Sequence, residues 1–240
     1  MIAFRRGAGR MASIEPLDGV LVCLQRGLPE RLSRRFPLRK IARLMGDLFL
    51  VKKTKGRVAV LTDFGNGAPM AAWMAEDLIA LGAKRLVSIV LGGGLQPDLE
   101  PGAVVVCDRA IRDEGTSHHY LPPGKFVEGS PALVARLGAC LEQHGLTTQT
   151  GATWTTDAPY RETAEEIRHY QAEGIKTVEM ETAALFAVAQ VRSVEAAAAV
   201  VVVDTLYDAV WRPPQQVKAV ERVLETVYAA AIDALDEASR

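Results

Sequence analysis

The strongest constraint on the fold is the run AAAVVVVD at 197–204, seven consecutive apolar residues closed by an acid. Apolar stretches without alternation suit strands covered on both faces. Shorter runs of the same kind stand at VLVCL (20–24), RVAVL (57–61), LVSIVL (86–91) and AVVVCD (103–108). Between them lie segments with helical spacing. APMAAWMAEDLIALG (68–82) and PALVARLGACLEQHG (131–145) each end in Gly, a usual stop signal. RETAEEIRHYQAEG (161–174) reads as a polar helix, METAALFAVAQV (180–191) as an apolar and buried one, and the stretch 214–235 as a long amphipathic one. Strands alternating with helices predict an α/β fold: one domain, with a central mostly parallel or mixed sheet flanked by helices. Residues 1–19 read as an N-terminal extension that disorder would suit, and 20–240 as the domain.

The region 108–130 breaks the alternation. It is polar, carries Pro122 and Pro123, and holds His118 and His119, two of the four histidines. It is expected to be irregular, and long irregular segments are often functional. The adjacent histidines suggest a metal, but no second ligand set accompanies them, so they read as loop or interface residues.

Charge and cysteine content narrow the partners. With 28 basic and 29 acidic residues the net charge is −1, which argues against general nucleic-acid binding. Cys23, Cys107 and Cys140 fit neither a disulfide framework nor a zinc pattern. Cys23 and Cys107 lie in apolar runs and read as buried thiols, and the expected compartment is the reducing cytoplasm. The N-terminus has no apolar stretch suited to a secretion signal, and nothing approaches the roughly 20 apolar residues of a membrane span.

Several segments could carry chemistry. DFGNGAP (63–69) follows a strand and opens a helix, which aims backbone N–H groups above the strand end. GGG (92–94) follows the next strand and would let a ligand approach the backbone closely. Both could equally be tight turns. GLPERLSRR (27–35) places Arg31, Arg34 and Arg35 after the first strand, either as an anion site or as a solvated basic face. Asp204 ends the most apolar strand, where partial desolvation would raise its pKa and let it act as an acid. Glu181 opens a buried helix. Glu179 and Glu181 are two residues apart, so only one is expected to face a given site.

In order along the chain, these segments resemble the nucleoside phosphorylases, the family holding purine nucleoside phosphorylase, uridine phosphorylase and the methylthioadenosine nucleosidases. GLPER resembles the family's phosphate loop and FGNGAP its Thr-Gly-Ile-Gly-x-Pro segment. GGGLQPDLEPGAVVV resembles its Gly-rich strand end and following strand. TSHHYLPP and TTDAPYRET resemble segments of the uridine phosphorylase branch, and VEMETAALFAVA its ribose signature. The resemblance implies that Met180 and Glu181 hold the ribose, Glu181 through the 2′ and 3′ hydroxyls. It implies that Asp204 protonates the departing base, that Tyr160 packs against that base, and that Gly27, Arg31 and Gly92 hold phosphate. It further implies no metal or other cofactor, inorganic phosphate as co-substrate, and a homo-oligomer, a dimer or a hexamer built as a trimer of dimers.

The chain also departs from that pattern. Ser88 stands where the family has an arginine in the phosphate pocket, and Met45, with Arg43 nearby, where a neighbouring subunit's arginine is expected. Losing two guanidinium contacts to a dianion would cost roughly 1.5–3 kcal/mol each. Val203 replaces a serine before Asp204, and the Gln-x-Arg uracil clamp is missing. Three readings therefore stay open: a phosphorylase acting on a purine or uridine ribonucleoside, a nucleosidase that uses water, or a catalytically poor nucleoside-binding or assembly protein.

Overall fold

The structure, a computed structural model, describes residues 14–23, 32, 35–52, 54, 57–213 and 217–236. Among these, ten strands form one sheet: β1 (Gly19–Cys23), β2 (Leu38–Arg43), β3 (Asp47–Val51), β4 (Val58–Thr62), β5 (Arg85–Gly94), β6 (Val104–Asp113), β7 (Phe126–Glu128), β8 (Thr148–Thr156), β9 (Thr177–Glu179) and β10 (Glu195–Thr205). The helices are α1 (Ala68–Ala80), α2 (Pro131–Gln143), α3 (Ala164–Ala172), α4 (Thr182–Arg192) and α5 (Val217–Leu235). The sheet is mixed. β1 pairs in parallel with β4 and β5, and β10 in parallel with β5 but antiparallel with β6.

Strand β10 shows why the sequence omits alternation. Ala196, Ala198 and Val200 pack into a core with Leu78 of α1 and the α4 residues Ala184, Leu185 and Val188. Ala197, Ala199 and Val201 face the opposite core, with Leu137 of α2 and Val227 and Ile232 of α5. Both faces are covered by helices, so every position must be apolar. Cys23 and Cys107 are fully buried in these cores, and burial pushes both thiols well above their ordinary pKa.

Five strands close on themselves. β10 pairs with β6, β6 with β8, β8 with β9, β9 with the end of β5, and β5 with β10 again. This closure depends on the glycines. A side chain at Gly92 would lie 2.4 Å from the Val178 carbonyl oxygen, and one at Gly94 2.8 Å from that of Leu99. The glycines therefore lie inside β5 rather than after it, and protein fills the space that a side chain would take.

Other expectations also change. Residues 108–113 continue β6, and 126–128 return as β7 to pair with it, so the irregular segment is shorter than 108–130. Its remainder is tied down by Arg112, which donates to the Ser117 hydroxyl at 2.9 Å and the Pro122 carbonyl at 2.7 Å. His118 joins this knot: its Nδ1 accepts from the Arg112 guanidinium at 3.3 Å and its Nε2 donates to the Arg112 carbonyl at 3.1 Å. The helix expected from 161 starts at Ala164, because Thr163 and Glu166 form a capping box there. β8 (TQTGATWTT) is rich in Thr and offers little apolar signal, and β9 has only three residues. Among the described residues, no helix is long and apolar enough to cross a membrane.

Candidate active site

β5 and β10 run in parallel and end together, where open α/β sheets gather ligands. A cavity of about 530 Å³ opens there. Its walls come from the ends of β5 and β10, from β9 and Met180, and from the turn Pro159–Arg161 with Glu162. The loop carrying Leu206 and Trp211 completes it. It brings together four of the residues singled out in the sequence: Gly92, Tyr160, Met180 and Asp204.

Asp204 reaches this position through an irregularity in β10. Val202 is opposite Gly92 and Asp204 opposite Gly93, so Val203 is an extra residue. The carboxylate occupies the space over Gly93, where a Cβ would lie 3.0 Å from Oδ1. Its Oδ2 accepts the indole N–H of Trp211 at 2.8 Å. Burial raises the pKa of Asp204, and the Trp211 hydrogen bond opposes that shift. The direction is the one expected from its place at a strand end.

Glu179 and Glu181 divide their tasks. Glu179 Oε2 accepts the Glu181 and Thr182 N–H groups and the Thr182 hydroxyl, each at 2.8 Å, while Oε1 accepts the Thr155 hydroxyl at 2.6 Å. It thus satisfies the open N-terminus of α4. Glu181 turns to the other helix. Its Oε1 accepts the N–H of Gly67, the residue capping α1, at 2.6 Å, and its Oε2 accepts the Met180 N–H at 3.3 Å. Burial first, then the neighbouring Glu179, pushes the Glu181 carboxyl upward. Glu181 is buried and, unlike Met180, does not line the cavity. Two backbone donors use about half of the acceptor sites a carboxylate has, which leaves capacity for two hydroxyls.

Tyr160 stands at the rim with its ring exposed, and Gly92 borders the cavity floor beside Leu91. Gly27 and Arg31 lie outside the described residues. Ser88 is buried in mid-strand between Val22 and Ala198, away from the cavity. Met45 is exposed, and Arg43 pairs with Asp47 at 2.7 Å. Among the described residues, no group of three or more His, Cys, Asp or Glu side chains could hold a metal ion.

Two cavity residues were not anticipated. Glu162 is half-buried, and its pKa is pushed from an ordinary 4.5 to about 7 by burial, then by the charges of Asp204 and Glu166. Trp211, 59% exposed, reaches back to Asp204. Sequence position gave one hint for each: Glu162 follows Tyr160 by two residues, and Trp211 is an aromatic in a polar, Pro-rich loop.

A mixed sheet with helices on both faces, a self-closed set of five strands, and acids at the ends of β9 and β10 define one class of protein. The chain belongs to the phosphorylase superfamily, whose family model matches residues 29–238. It is 31% identical over 150 residues to the uridine phosphorylase of Treponema pallidum, a match covering 58% of each chain. It is 32% identical over 135 residues to the guanosine phosphorylase of Halorubrum lacusprofundi, covering 56% of each. The matched segments thus span little more than half the length of these relatives. A crystal structure of uridine phosphorylase from Vibrio fischeri superposes with a TM-score of 0.78 at 25% identity, covering 94% of this chain and 92% of that one.

Proposed function

We propose that this protein is a nucleoside phosphorylase, a pentosyltransferase that cleaves the N-glycosidic bond of a ribonucleoside with inorganic phosphate. The observation that carries this reading is the convergence of Asp204, Met180 and Tyr160 on one cavity, with the Glu181 carboxylate joined to it through the Met180 N–H. Met180 and Glu181 hold the ribose, and Tyr160 covers the base. As the C1′–N bond breaks, the Asp204 proton passes to a base nitrogen, and a phosphate oxygen bonds to C1′. Free base and ribose 1-phosphate leave, and the ionised Asp204 regains its proton from solvent. A raised Asp204 pKa supports this role, since the acid must be protonated at the start. Gly27, Arg31 and Gly92 supply the phosphate site, and the chain works as a homo-oligomer in the cytoplasm without a further cofactor.

One observation favours water as the nucleophile instead. Among the described residues, no Lys or Arg borders the cavity, and Leu91 contributes an apolar side chain to its floor. The test is base release from adenosine, inosine, guanosine, uridine and methylthioadenosine, with and without phosphate. Release that requires phosphate is expected. Equal release in its absence means a nucleosidase, and no release from any substrate removes the enzyme reading.

A further inference from the structure

The segment from Thr205 to Arg212, which carries Trp211, is tied to itself. Thr205 and Arg212 each donate a backbone N–H to the other's carbonyl, at 3.4 and 2.9 Å, and the Ala209 N–H closes a turn onto the Leu206 carbonyl at 2.8 Å. The Arg212 guanidinium pairs with the Asp208 carboxylate and lies over the Tyr207 ring, 5.0 Å from its centroid. The inner end of the loop meets the sheet, where the Leu206 N–H donates to the Gly94 carbonyl at 2.8 Å. A second tie comes from a helix. The side-chain amide nitrogen of Gln171, on α3, donates to the Tyr207 carbonyl and, at 2.6 Å, to the Leu95 carbonyl.

An amide nitrogen carries two hydrogens, and both are used here on carbonyls from different parts of the chain. Leu95 follows the glycines that end β5, and Tyr207 stands three residues after Asp204. The helix α3 itself continues from the turn that brings Tyr160 and Glu162 to the cavity. One half-buried side chain thus joins three of the cavity's walls. Gln96 provides the contrast. Its amide donates to the backbone carbonyls of Gln171 and Ile175, at 3.2 and 2.7 Å, and so closes the C-terminal end of α3 as a helix cap does. Gln171 points its amide away from its own helix, toward the loop.

We propose that Gln171 is a positioning residue for this site: its amide holds the Trp211 loop against the end of β5 and thereby sets the Trp211 indole on the Asp204 carboxylate. This role rests on the proposed cleavage of a ribonucleoside at the cavity, with Asp204 as the acid. Without the amide the loop keeps its internal bonds and loses its tie to α3. The loop wall and the hydrogen-bond partner of Asp204 then shift together, while the Glu181 contact to Gly67 stays in place. Nucleoside binding weakens, and Asp204 loses the donor that favours its ionised form. Glu162, the carboxyl whose titration is coupled to the Asp204 charge, is the same in every variant below.

The experiment measures KM, the pH profile of kcat, calorimetric nucleoside affinity and melting temperature for the native protein, Gln171→Met, Trp211→Phe, the double variant and Gln96→Met. The substrate is the nucleoside that the native protein cleaves fastest. Gln171→Met should raise KM about fivefold or more, since two hydrogen bonds are lost, and should move the alkaline limb of kcat to higher pH, as Trp211→Phe does. The double variant should move that limb no further than Trp211→Phe alone, because the two residues act through one contact. Gln96→Met should lower the melting temperature and leave KM within about twofold. Gln171→Asn, one methylene shorter, should fall between the native protein and Gln171→Met, and it carries the test if the methionine variant does not fold. A KM within about twofold of native in both Gln171 variants overturns the inference while leaving nucleoside cleavage in place. Additive shifts of the limb, or an equal rise of KM in Gln96→Met, do the same. Absence of both binding and release in the native protein overturns this inference and the proposed function together.

Discussion

The Glu181 carboxylate accepts the backbone N–H of Gly67 at 2.6 Å, across 114 residues of sequence. One side chain thus sits at the start of α4 while capping the start of α1. Glutamine keeps an oxygen for Gly67 but removes the charge beside Glu179. Glu181→Gln should therefore leave the unfolding free energy at pH 8 unchanged or higher, and weaken ribonucleoside binding by about tenfold or more. Glu181→Ala leaves the Gly67 N–H unpartnered and should add a stability loss of about 1–3 kcal/mol. Calorimetry with a ribonucleoside and its 2′-deoxy form checks the assignment, and unchanged ribonucleoside affinity in Glu181→Gln would refute it.

Glu179 is predicted to matter for stability and not for chemistry. Its removal strands three donors at the head of α4 and the Thr155 hydroxyl of β8. Glu179→Ala should cost about 3 kcal/mol or more in urea unfolding. A loss below about 1 kcal/mol would show that water or rearrangement replaces the cap.

Asp204→Asn should lower kcat by about 10²–10⁴-fold and leave nucleoside affinity nearly unchanged. Trp211→Phe removes a hydrogen bond that favours the ionised form of Asp204, so the alkaline limb of the kcat–pH profile, where the acid loses its proton, should move to higher pH. Full activity in Asp204→Asn would end its role as the acid.

The pH dependence of stability follows from Glu162. Its pKa is about 7 in the folded chain against an ordinary 4.5, so between these values the folded state binds more protons than the unfolded state. Stability should then fall as pH rises from about 4.5 to about 7, and level off above. Glu181, also raised, acts in the same direction. Glu162→Gln should flatten the slope without abolishing it, as read from melting temperatures at pH 5, 6, 7 and 8. An identical slope in the variant would contradict the raised value.

Gly93→Ala places a methyl group 2.3 Å from Leu206 Cδ1 and 3.0 Å from Asp204 Oδ1. Leu206 is a side chain and can yield, so stability should drop by only about 1–3 kcal/mol. The displacement of Asp204 should nevertheless reduce kcat, a split visible by pairing urea unfolding with turnover. Gly92→Ala meets the Val178 carbonyl, which is backbone, and should be the more destabilising of the two.

The sheet core was legible because two-sided burial writes itself into composition. Five strands and five helices left apolar or periodic traces, as Val200 and Val201 illustrate by facing opposite cores. Of the strands that left no trace, all but the apolar DLFLV of β3 are short or polar. β9 has three residues, and β8 alternates Thr with little else, held by pairing to its neighbours. At the site, Asp204 and Met180 could be found because a strand end and a signature point to them. Glu162 was harder to find: beyond its nearness to Tyr160, it looks like an ordinary acid at the start of a polar helix. Only the fold brings it to the cavity that Asp204 lines, some forty positions later. The glycine run was seen, but the approach of β9 to β5 that its small size serves is a tertiary contact that local sequence does not encode.

The self-closed set of five strands has a consequence for the order in which the binding site can come into existence. β10 is the piece that joins β5 to β6, and it also carries Asp204 and leads into Trp211. Before it inserts, β5 and β6 each expose an unpaired edge, and the cavity has neither its acid nor its loop wall. A ribosome-bound chain ending before residue 195 could hold no nucleoside at this cavity, and neither could a fragment cut there. Substrate recognition is in this sense a certificate of completed folding, and ligand that binds only the closed form will protect the whole ring from opening.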